Sequence, residues 1–380
     1  MTQRALTGIR VADFSHVVAG PLATHFLALN GAEVTKIESP RGDNLRNYTL
    51  DPAQRGLSPA FAGINAGKGS VVLDLKTPEG RAEAEEIIAA SDVVVENFRP
   101  GVMARLGLGA AEMRVRHPHL VWCAISGFGQ TGPLADVAAM DQIIQSLSGL
   151  MSLSGLPDDP AMRVGFPVVD TFTGLLAAFA IQTALLQRER GLCAGQEIDV
   201  AMLDAALVMM LSVVNPLLIA GETPVRTGNR GFSRAPTSDT FSCAGNSAIT
   251  IGAVEDAHVA KVLAVLGLEA LLDDPRFADR RARATNADAM AGAMGAVLKT
   301  RPAAHWEDAL RACGVPAARV QDLADAVAMP HLAGRDLFLD LPARHGGRQR
   351  ILNAGFRFKE GGPGIACPAP ELGAGRQATS

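Results

Sequence analysis

Short apolar runs alternate with amphipathic stretches through the first half of the chain. Ile9-Arg10-Val11-Ala12-Asp13-Phe14 reads as a strand and runs into Ser15-His16-Val17-Val18-Ala19-Gly20-Pro21. A helix follows from Leu22 to Leu29 and stops at Asn30-Gly31, a glycine placed as helix C-termini prefer. Ala32 to Glu38 forms a second strand, so this opening is a βαβ unit with parallel strands. Ser39 to Asp43 is a turn and residues 44–67 are irregular. Ser70 to Leu75 is the next strand. Pro78 opens a helix through Ala90, with Pro at its first position and acids at Glu79, Glu83, Glu85 and Glu86. Val93 to Asn97 is a buried strand, Val102–Leu106 a short helix, and Leu120 to Ser126 a further strand. Repeated βα units of this kind predict an α/β fold with an open, mostly parallel sheet and helices on both faces.

The second half changes character. Leu175 to Leu186 is an apolar run without proline that ends in Gln187-Arg188-Glu189-Arg190-Gly191. It reads as a buried helix with cations at the negative end of its dipole and Gly191 as the stop. Glu197 to Val200 is a short strand, and Met202–Val214 a helix broken near Asn215-Pro216. Residues 221–238, rich in Gly, Pro, Arg, Ser and Thr, read as a linker. Residues 239–325 carry a strand at Ala248–Ile251 and Ala-rich helices at His258–Leu266 and Ala287–Leu298, the pattern of a smaller domain. The remainder has β-like pieces at Leu337-Phe338-Leu339 and Arg350-Ile351-Leu352.

Composition removes several function classes. A length of 380 residues allows a large core and two domains. With a net charge of −4 and no Lys/Arg block, there is no electrostatic footprint for nucleic acid. Aromatics at 4% leave little for base stacking. Five scattered cysteines without a CxxC pair suggest neither zinc nor a disulfide framework, and fit a reducing cytoplasm. The first residues lead straight into a strand rather than a signal peptide. The apolar stretches at 175–186 and 200–214 are too short or interrupted to span a bilayer, so no membrane association is expected.

The chemistry is narrowed mostly by what is missing. No GxGxxG follows the first strand and no Walker A sequence occurs, which removes the glycine-rich phosphate loop of dinucleotide and NTP sites. GxSxG is absent, and His117 and His119 flank Pro118 in no metal-ligand spacing, so no metal is expected. His16 ends the first strand, where open α/β sheets bind ligands, although an ordinary turn histidine fits as well. Gly127-Phe128-Gly129-Gln130-Thr131-Gly132-Pro133 also follows a strand, and its glycines allow backbone close to a ligand. Lys36, Arg41, Lys68, Lys76, Arg99 and Arg105 stand at turns. Singly each is a solvated charge; clustered after strand ends they suit a phosphorylated ligand. Asp170 lies at or just before a helix start, between Val168-Val169 and Phe172. An N-cap worth about 1 kcal/mol is the ordinary explanation. The sharper one is a reactive carboxylate in a dry pocket, kept ionised by the same N–H groups.

These segments in this order resemble the family III CoA-transferases, which include formyl-CoA, crotonobetainyl-CoA and succinyl-CoA-dependent transferases and the α-methylacyl-CoA racemases. The resemblance rests on Leu6 to Phe14 with Ala19-Gly20-Pro21, Gly31 to Glu38, and Asn65 through Lys68. It continues through Leu73-Asp74-Leu75-Lys76-Thr77-Pro78-Glu79-Gly80, Asp92 to Gly101, Gly127 to Pro133 and Asp199 to Ala205, and extends to Pro330-His331-Leu332-Ala333. It implies a Rossmann-like large domain with a mostly parallel sheet, built from both chain ends, and a smaller inserted α+β domain. Two chains would thread each other as an interlocked homodimer. The layout becomes 1–220 for the first part of the large domain, 221–238 linker, 239–325 small domain, and 326–380 the segment completing the large domain. The family's shared ligand is acyl-CoA, used as a substrate with no permanently bound cofactor. By position, His16, Val17, Arg41, Lys76, Asn97, Phe98 and Arg105 match residues the family uses around CoA. Asp170 aligns with the family's catalytic aspartate, and Gly127, Phe128, Gly129 and Gln130 match its loop, a source of oxyanion donors.

The family holds two chemistries. Racemases need two bases and carry a His-Asp pair where this chain has Met140-Asp141; a thioether is no base, which favours the transferase branch. A racemase-type isomerase and a non-catalytic acyl-CoA-binding protein are the alternatives. The expected reaction moves CoA from a donor acyl-CoA, with succinyl-CoA or another dicarboxylic acyl-CoA as candidate donor, to an acceptor carboxylic acid. Asp170 would carry it through an anhydride and an aspartyl-CoA thioester. The chain departs from the family at Lys68-Gly69-Ser70, where many members have Lys-Arg-Ser, and after Leu372-Gly373, where a His is usual. Residues 226–234 lack the glycine run of the formyl-CoA enzymes, which argues against oxalate or formate. Arg226, Arg230 and Arg234 there could pair with a free substrate carboxylate, or form a basic surface loop.

Overall fold

The computed structural model describes residues 3–375 apart from 232 and 345. The chain forms two compact units. The larger takes residues 1–151, 163–222 and 330–380, the smaller residues 152–162 and 223–329. Residues 223–237 therefore pack with the smaller unit, and so does 152–162, a segment that no hydrophobic pattern set apart.

In the larger unit β1 (Arg10–Asp13), α1 (Ala19–Leu29) and β2 (Glu33–Glu38) form the opening βαβ. They are followed by α2 (Pro59–Asn65), β3 (Lys68–Val72), α3 (Pro78–Ala89) and β4 (Val93–Glu96). Next come α4 (Val102–Arg105), α5 (Ala110–Arg116), β5 (Val121–Ser126) and α6 (Asp141–Leu147). The unit continues with α7 (Val168–Glu189), β6 (Gln196–Ala201), α8 (Met202–Met209) and α9 (Leu211–Ala220). The six strands are all parallel in the order β3-β2-β1-β4-β5-β6. This is the doubly wound order, and it reverses direction between β1 and β4, which opens a crevice beyond their carboxyl ends.

The strands that read as unbroken apolar runs are the central ones. Every residue of β4 and β5 is buried, as helices on both faces require. One face packs Val11, Val93, Val95, Cys123 and Ile125 against α1 and α7. The other packs Ala12, Val94, Trp122 and Ala124 against Ile87 and Ile88 of α3 and Met113 of α5. Thr77 caps α3 by accepting from Gly80 N–H, with Pro78 in the first turn.

Several expected boundaries move. α7 is 22 residues long and begins seven residues before the apolar run. By length and composition alone it could cross a bilayer; here Ala177, Ala178, Ile181 and Ala184 lie in the core against the sheet. The break in the next apolar stretch lies at Met210, where α8 and α9 meet at 83°. Pro216 sits inside α9 rather than ending it, and the carbonyl it leaves without a donor belongs to exposed Ser212.

The smaller unit has a three-stranded antiparallel sheet, β7 (Ser238–Ser242), β8 (Ala248–Gly252) and β9 (Ala317–Arg319), in that order. Around it pack α10 (Asp256–Leu266), α11 (Arg280–Thr285), α12 (Ala287–Leu298) and α13 (Ala303–Ala312), with α14 (Leu323–Val327) near its end. Its core centres on Ile249, Ile251, Leu263, Met290, Met294 and Leu310. The return to the larger unit carries α15 (Pro330–Ala333) and the hairpin β10 (Phe338–Pro342) and β11 (Arg348–Leu352).

Gly174 fixes how closely α7 approaches α1. A Cβ there would lie 2.6 Å from Ala19 O and 3.0 Å from Leu22 Cβ. Gly→Ala within a helix normally stabilises by about 1 kcal/mol. At this position the two helices must part, so Gly174→Ala should instead lower the unfolding free energy by about 1–3 kcal/mol in denaturant titration.

Candidate active site

The crevice at the switch point is a cavity of about 550 Å³ within the larger unit. Its wall is built from the residues that follow strand ends. His16, Val17 and Val18 come after β1, Asn97 to Pro100 after β4, and Ser126 and Gly127 at the end of β5. Met140, Asp141, Arg163, Pro167 and Asp170 close it. Of the residues singled out in the sequence, His16, Val17, Asn97, Phe98, Arg99, Gly127 and Asp170 thus meet in one place.

Asp170 is the third residue of α7, and it does not cap that helix. The residue before the helix is Pro167, which offers no side-chain cap. The N–H groups of Val169 and Asp170 donate to Asp141 Oδ1 at 2.8 and 3.1 Å. Val168 and Thr171 donate to the carbonyls of Phe166 and Pro167. The orphan donors of the first turn are therefore taken without the Asp170 carboxyl. Asp141 itself is fixed by Gln145 Nε2, 2.6 Å from its Oδ2. The expectation that capping keeps Asp170 ionised is corrected by this exchange of partners. Burial and then the neighbouring Asp141 charge push the Asp170 carboxyl up to about 7.

The loop after β5 gives two of its N–H groups to neighbouring side chains. Gly129 N–H donates to Ser126 Oγ at 2.9 Å and Gln130 N–H to Asp199 Oδ2 at 2.8 Å. Phe128 packs toward Ile144, Val169 and Met202. Of the four residues expected to supply oxyanion donors, Gly127 alone lines the cavity, and the N–H groups of Gly129 and Gln130 are already engaged.

The basic residues divide into two sets. Lys36 and Lys68 are not turn residues but lie within β2 and β3 with their side chains fully buried. Lys68 Nζ pairs with Asp13 at 3.1 Å and donates to Pro21 O, Thr24 Oγ1 and Asn65 Oδ1. Burial pulls Lys68 down to about 8 despite that partner. Lys36 pairs with Asp43 at 3.1 Å, and Arg46 forks onto Glu38 at 2.6 and 2.7 Å. Arg41, Lys76 and Arg105 are exposed in the segments after β2, β3 and β4, on the same sheet edge as the cavity but outside its lining. Arg99 joins the lining.

Arg226, Arg230 and Arg234 belong to the smaller unit. Arg226 bonds to the carbonyls of Ser152 and Asp159, and Arg230 hydrogen-bonds Asp288 and forms a longer ion pair with Asp239 at 3.6 Å. Arg234 has a left-handed backbone. Two of the three are thus committed to neighbours in their own unit.

Burial, with Lys36 adding to the effect, pushes the His16 imidazole below its ordinary range, and its ring meets Phe98 edge-on at 5.3 Å between centroids. Sequence reasoning missed Arg163, an exposed cation lining the cavity seven residues before Asp170, and the capping role of Asp141. Arg163 makes no hydrogen bond or ion pair with the described residues; its signal in the sequence is that it is the one charge between Asp159 and Asp170. Among the described residues no group of three or more His, Cys, Asp or Glu is arranged to hold a metal.

The family model CoA-transferase family III matches residues 6–376. An acetyl-CoA:oxalate CoA-transferase from Acetobacter aceti is 39% identical over 343 residues, covering 87% of this chain and 85% of that one. A succinate–glutarate CoA-transferase from Agrobacterium fabrum is 37% identical, covering 90% of this chain and 86% of that one. A crystal structure of a CAIB/BAIF family protein from Brucella suis superposes with a TM-score of 0.88 at 31% identity, over 98% of this chain and 97% of that one.

The raised Asp170 carboxyl has a thermodynamic sign. Between pH 4 and 7 the folded chain keeps a proton that the unfolded chain has lost, so stability falls as pH rises through that window and levels above it. Asp170→Asn should therefore stabilise the protein at pH 8, by roughly 1–3 kcal/mol after allowing for partial solvent access. The gain should vanish toward pH 4 in paired denaturant titrations; equal gains at both pH values would mean the carboxyl is not perturbed.

Proposed function

The chain belongs to CoA-transferase family III, and from that premise we propose that it moves CoA between acyl-CoA and a carboxylic acid through covalent intermediates on Asp170. The observation that carries the reading is a carboxyl that no described residue hydrogen-bonds, in the crevice at the switch point, left there because Asp141 does the capping. A half-desolvated carboxylate of raised pKa is a better nucleophile than one tied down by N–H donors.

The reaction runs in four exchanges. The Asp170 carboxylate attacks the thioester carbonyl, the C–S bond breaks, and a mixed anhydride and CoA thiolate result. The thiolate attacks the aspartyl carbonyl of the anhydride, which frees the donor acid and leaves an aspartyl-CoA thioester. The acceptor carboxylate attacks that thioester and releases the thiolate again. The thiolate then takes the acyl group from the new anhydride, and Asp170 returns as a carboxylate. Thioester energy is kept throughout, and each collapse passes an oxyanion that needs backbone donors, for which Gly127, the residue of that loop lining the cavity, is the candidate.

His16, Val17, Asn97 and Phe98 would flank the pantetheine arm. The cations at the sheet edge, Arg41, Lys76 and Arg105, would meet the CoA phosphates outside the cavity. Oxalate, succinate and glutarate, the acids for which the two relatives are named, are dicarboxylic, which supports a dicarboxylic acyl group here; oxalate thus stays in the class despite the missing glycine run. Met140 lines the cavity at 61% exposure and brings no second base, which supports transfer over racemisation. The exposed Phe179 on α7 and Leu218 and Ile219 on α9 support a homodimer, and five free thiols fit a reducing cytoplasm.

The test is a panel of dicarboxylic acids incubated with succinyl-CoA in heavy water. Acid-dependent transfer is expected, lost by about a thousandfold or more in Asp170→Ala, with no deuterium entering the α-carbon. Deuteration of a chiral 2-methylacyl-CoA without added acid would instead make the enzyme an isomerase.

A further inference from the structure

The segment that β1 hands to the cavity is strained, and it is held from outside. Val17 has φ +65°, a left-handed conformation that a β-branched residue adopts only under constraint. Its N–H donates to both oxygens of Asp43, at 3.1 and 3.2 Å. The neighbouring His16 is clamped on both sides by one amide: its N–H donates to Asn97 Oδ1 and its carbonyl accepts from Asn97 Nδ2, each at 2.8 Å. The Ser15 carbonyl accepts from Lys36 Nζ at 2.7 Å, and Lys36 in turn pairs with Asp43. A Cβ on Gly20 would fall 2.2 Å from Ser15 Cβ, so the first turn of α1 is folded tightly onto the same segment. Three consecutive backbone units are therefore gripped by side chains from β2, the turn after it and the end of β4.

We propose that Asp43 and Asn97 are positioning residues for CoA transfer: they hold Ser15–Val17 in its strained backbone so that His16 and Val17 form a preset wall for the acyl-CoA. Asp43 stands outside the cavity lining; Asn97 lines it, but both polar atoms of its amide are taken by the His16 backbone. Their hydrogen bonds supply the constraint that Val17 itself opposes. The inference rests on the reading that acyl-CoA occupies this cavity. The competing explanation makes Asp43 only the counter-charge of buried Lys36, and Asn97 only a filler of a strand end. Those roles would lower stability without singling out the residue at position 17.

The experiment is a pair of double-mutant cycles, Asp43→Ala and Asn97→Ala, each with Val17→Gly and with Val17→Ala as control. The Asn97 cycle disturbs no charge and stands if Asp43→Ala, which strands Lys36, fails to fold. Steady-state kinetics with succinyl-CoA and glutarate are read alongside amide exchange of the peptide 14–22 in the ligand-free protein. With Val17 or the Ala control, each removal should lower kcat/KM about tenfold, chiefly by raising KM for succinyl-CoA, and should speed exchange of that peptide. In the Val17→Gly background the loss should shrink to about threefold or less, because glycine adopts positive φ without penalty. Equal losses in all backgrounds, with unchanged exchange, would overturn the proposal. A wild-type chain that neither binds CoA nor transfers from any dicarboxylic acyl-CoA would refute the cavity reading, while the exchange cycle still decides whether Val17 is held as described.

Discussion

The first turn of an α-helix carries N–H groups that must find acceptors, and at the start of α7 the acceptor for two of them comes from another helix. Asp141, at the head of α6, takes the N–H groups of Val169 and Asp170, and Gln145 holds it in place. Asp170 is thereby spared the task that its position on the helix would assign to it. Its carboxyl stays in the crevice beside a second negative charge, and both burial and that charge oppose ionisation. The dipole of α7 favours a negative charge in its first turn, but Asp141 already accepts the N–H groups through which most of that benefit is delivered. A carboxyl so placed is proton-poised near neutrality and reactive when ionised.

The crevice depends on charges buried around it. Asp13, Lys68, Lys36, Asp43, Glu38 and Arg46 form linked pairs at the carboxyl ends of β1 and β2, reached by Lys68 from the start of β3, all out of solvent. Burial by itself would raise Asp13, yet Lys68, Lys36 and two hydroxyl donors keep it below the ordinary carboxylate range. Such pairs seldom add net stability over an apolar core of the same volume, and losing one partner is costly. Their return here is geometric. They fasten the segments after β1 and β2 to each other and to β3 and the start of α1 at hydrogen-bond distance, which an apolar core cannot do with the same directionality. Arg46 extends the grip to the last part of the chain through Pro370 O at 3.1 Å and stacks over Phe61 at 3.9 Å.

The fold class was legible because β4 and β5 are buried on both faces and read as uninterrupted apolar runs, with helices of plain amphipathic pattern between them. The strand order was not, since β1 lies between β2 and β4 through pairings such as Val11 with Val93, which no local pattern encodes. Lys36 and Lys68 misled for the same reason. Their partners Asp43 and Asp13 stand outside the window in which a cation can be told from a solvated one, and Asp13 is 55 residues from Lys68. Asp170 was visible as an acid at a helix start, but the residue that frees it lies 29 positions away on another helix. Gly174 and Val17 carry their meaning only in three dimensions, one as room for a second helix and the other as a backbone angle.

The most direct measurement is mass spectrometry of the protein incubated with succinyl-CoA and then quenched with borohydride or hydroxylamine. A modification mapped to the peptide carrying Asp170, reduced to the alcohol or converted to the hydroxamate, is the expected result, and Asp170→Ala should abolish it. Transfer activity with the trapped group on another residue, or with no covalent adduct while Asp170→Ala keeps turning over, would contradict the role given to Asp170.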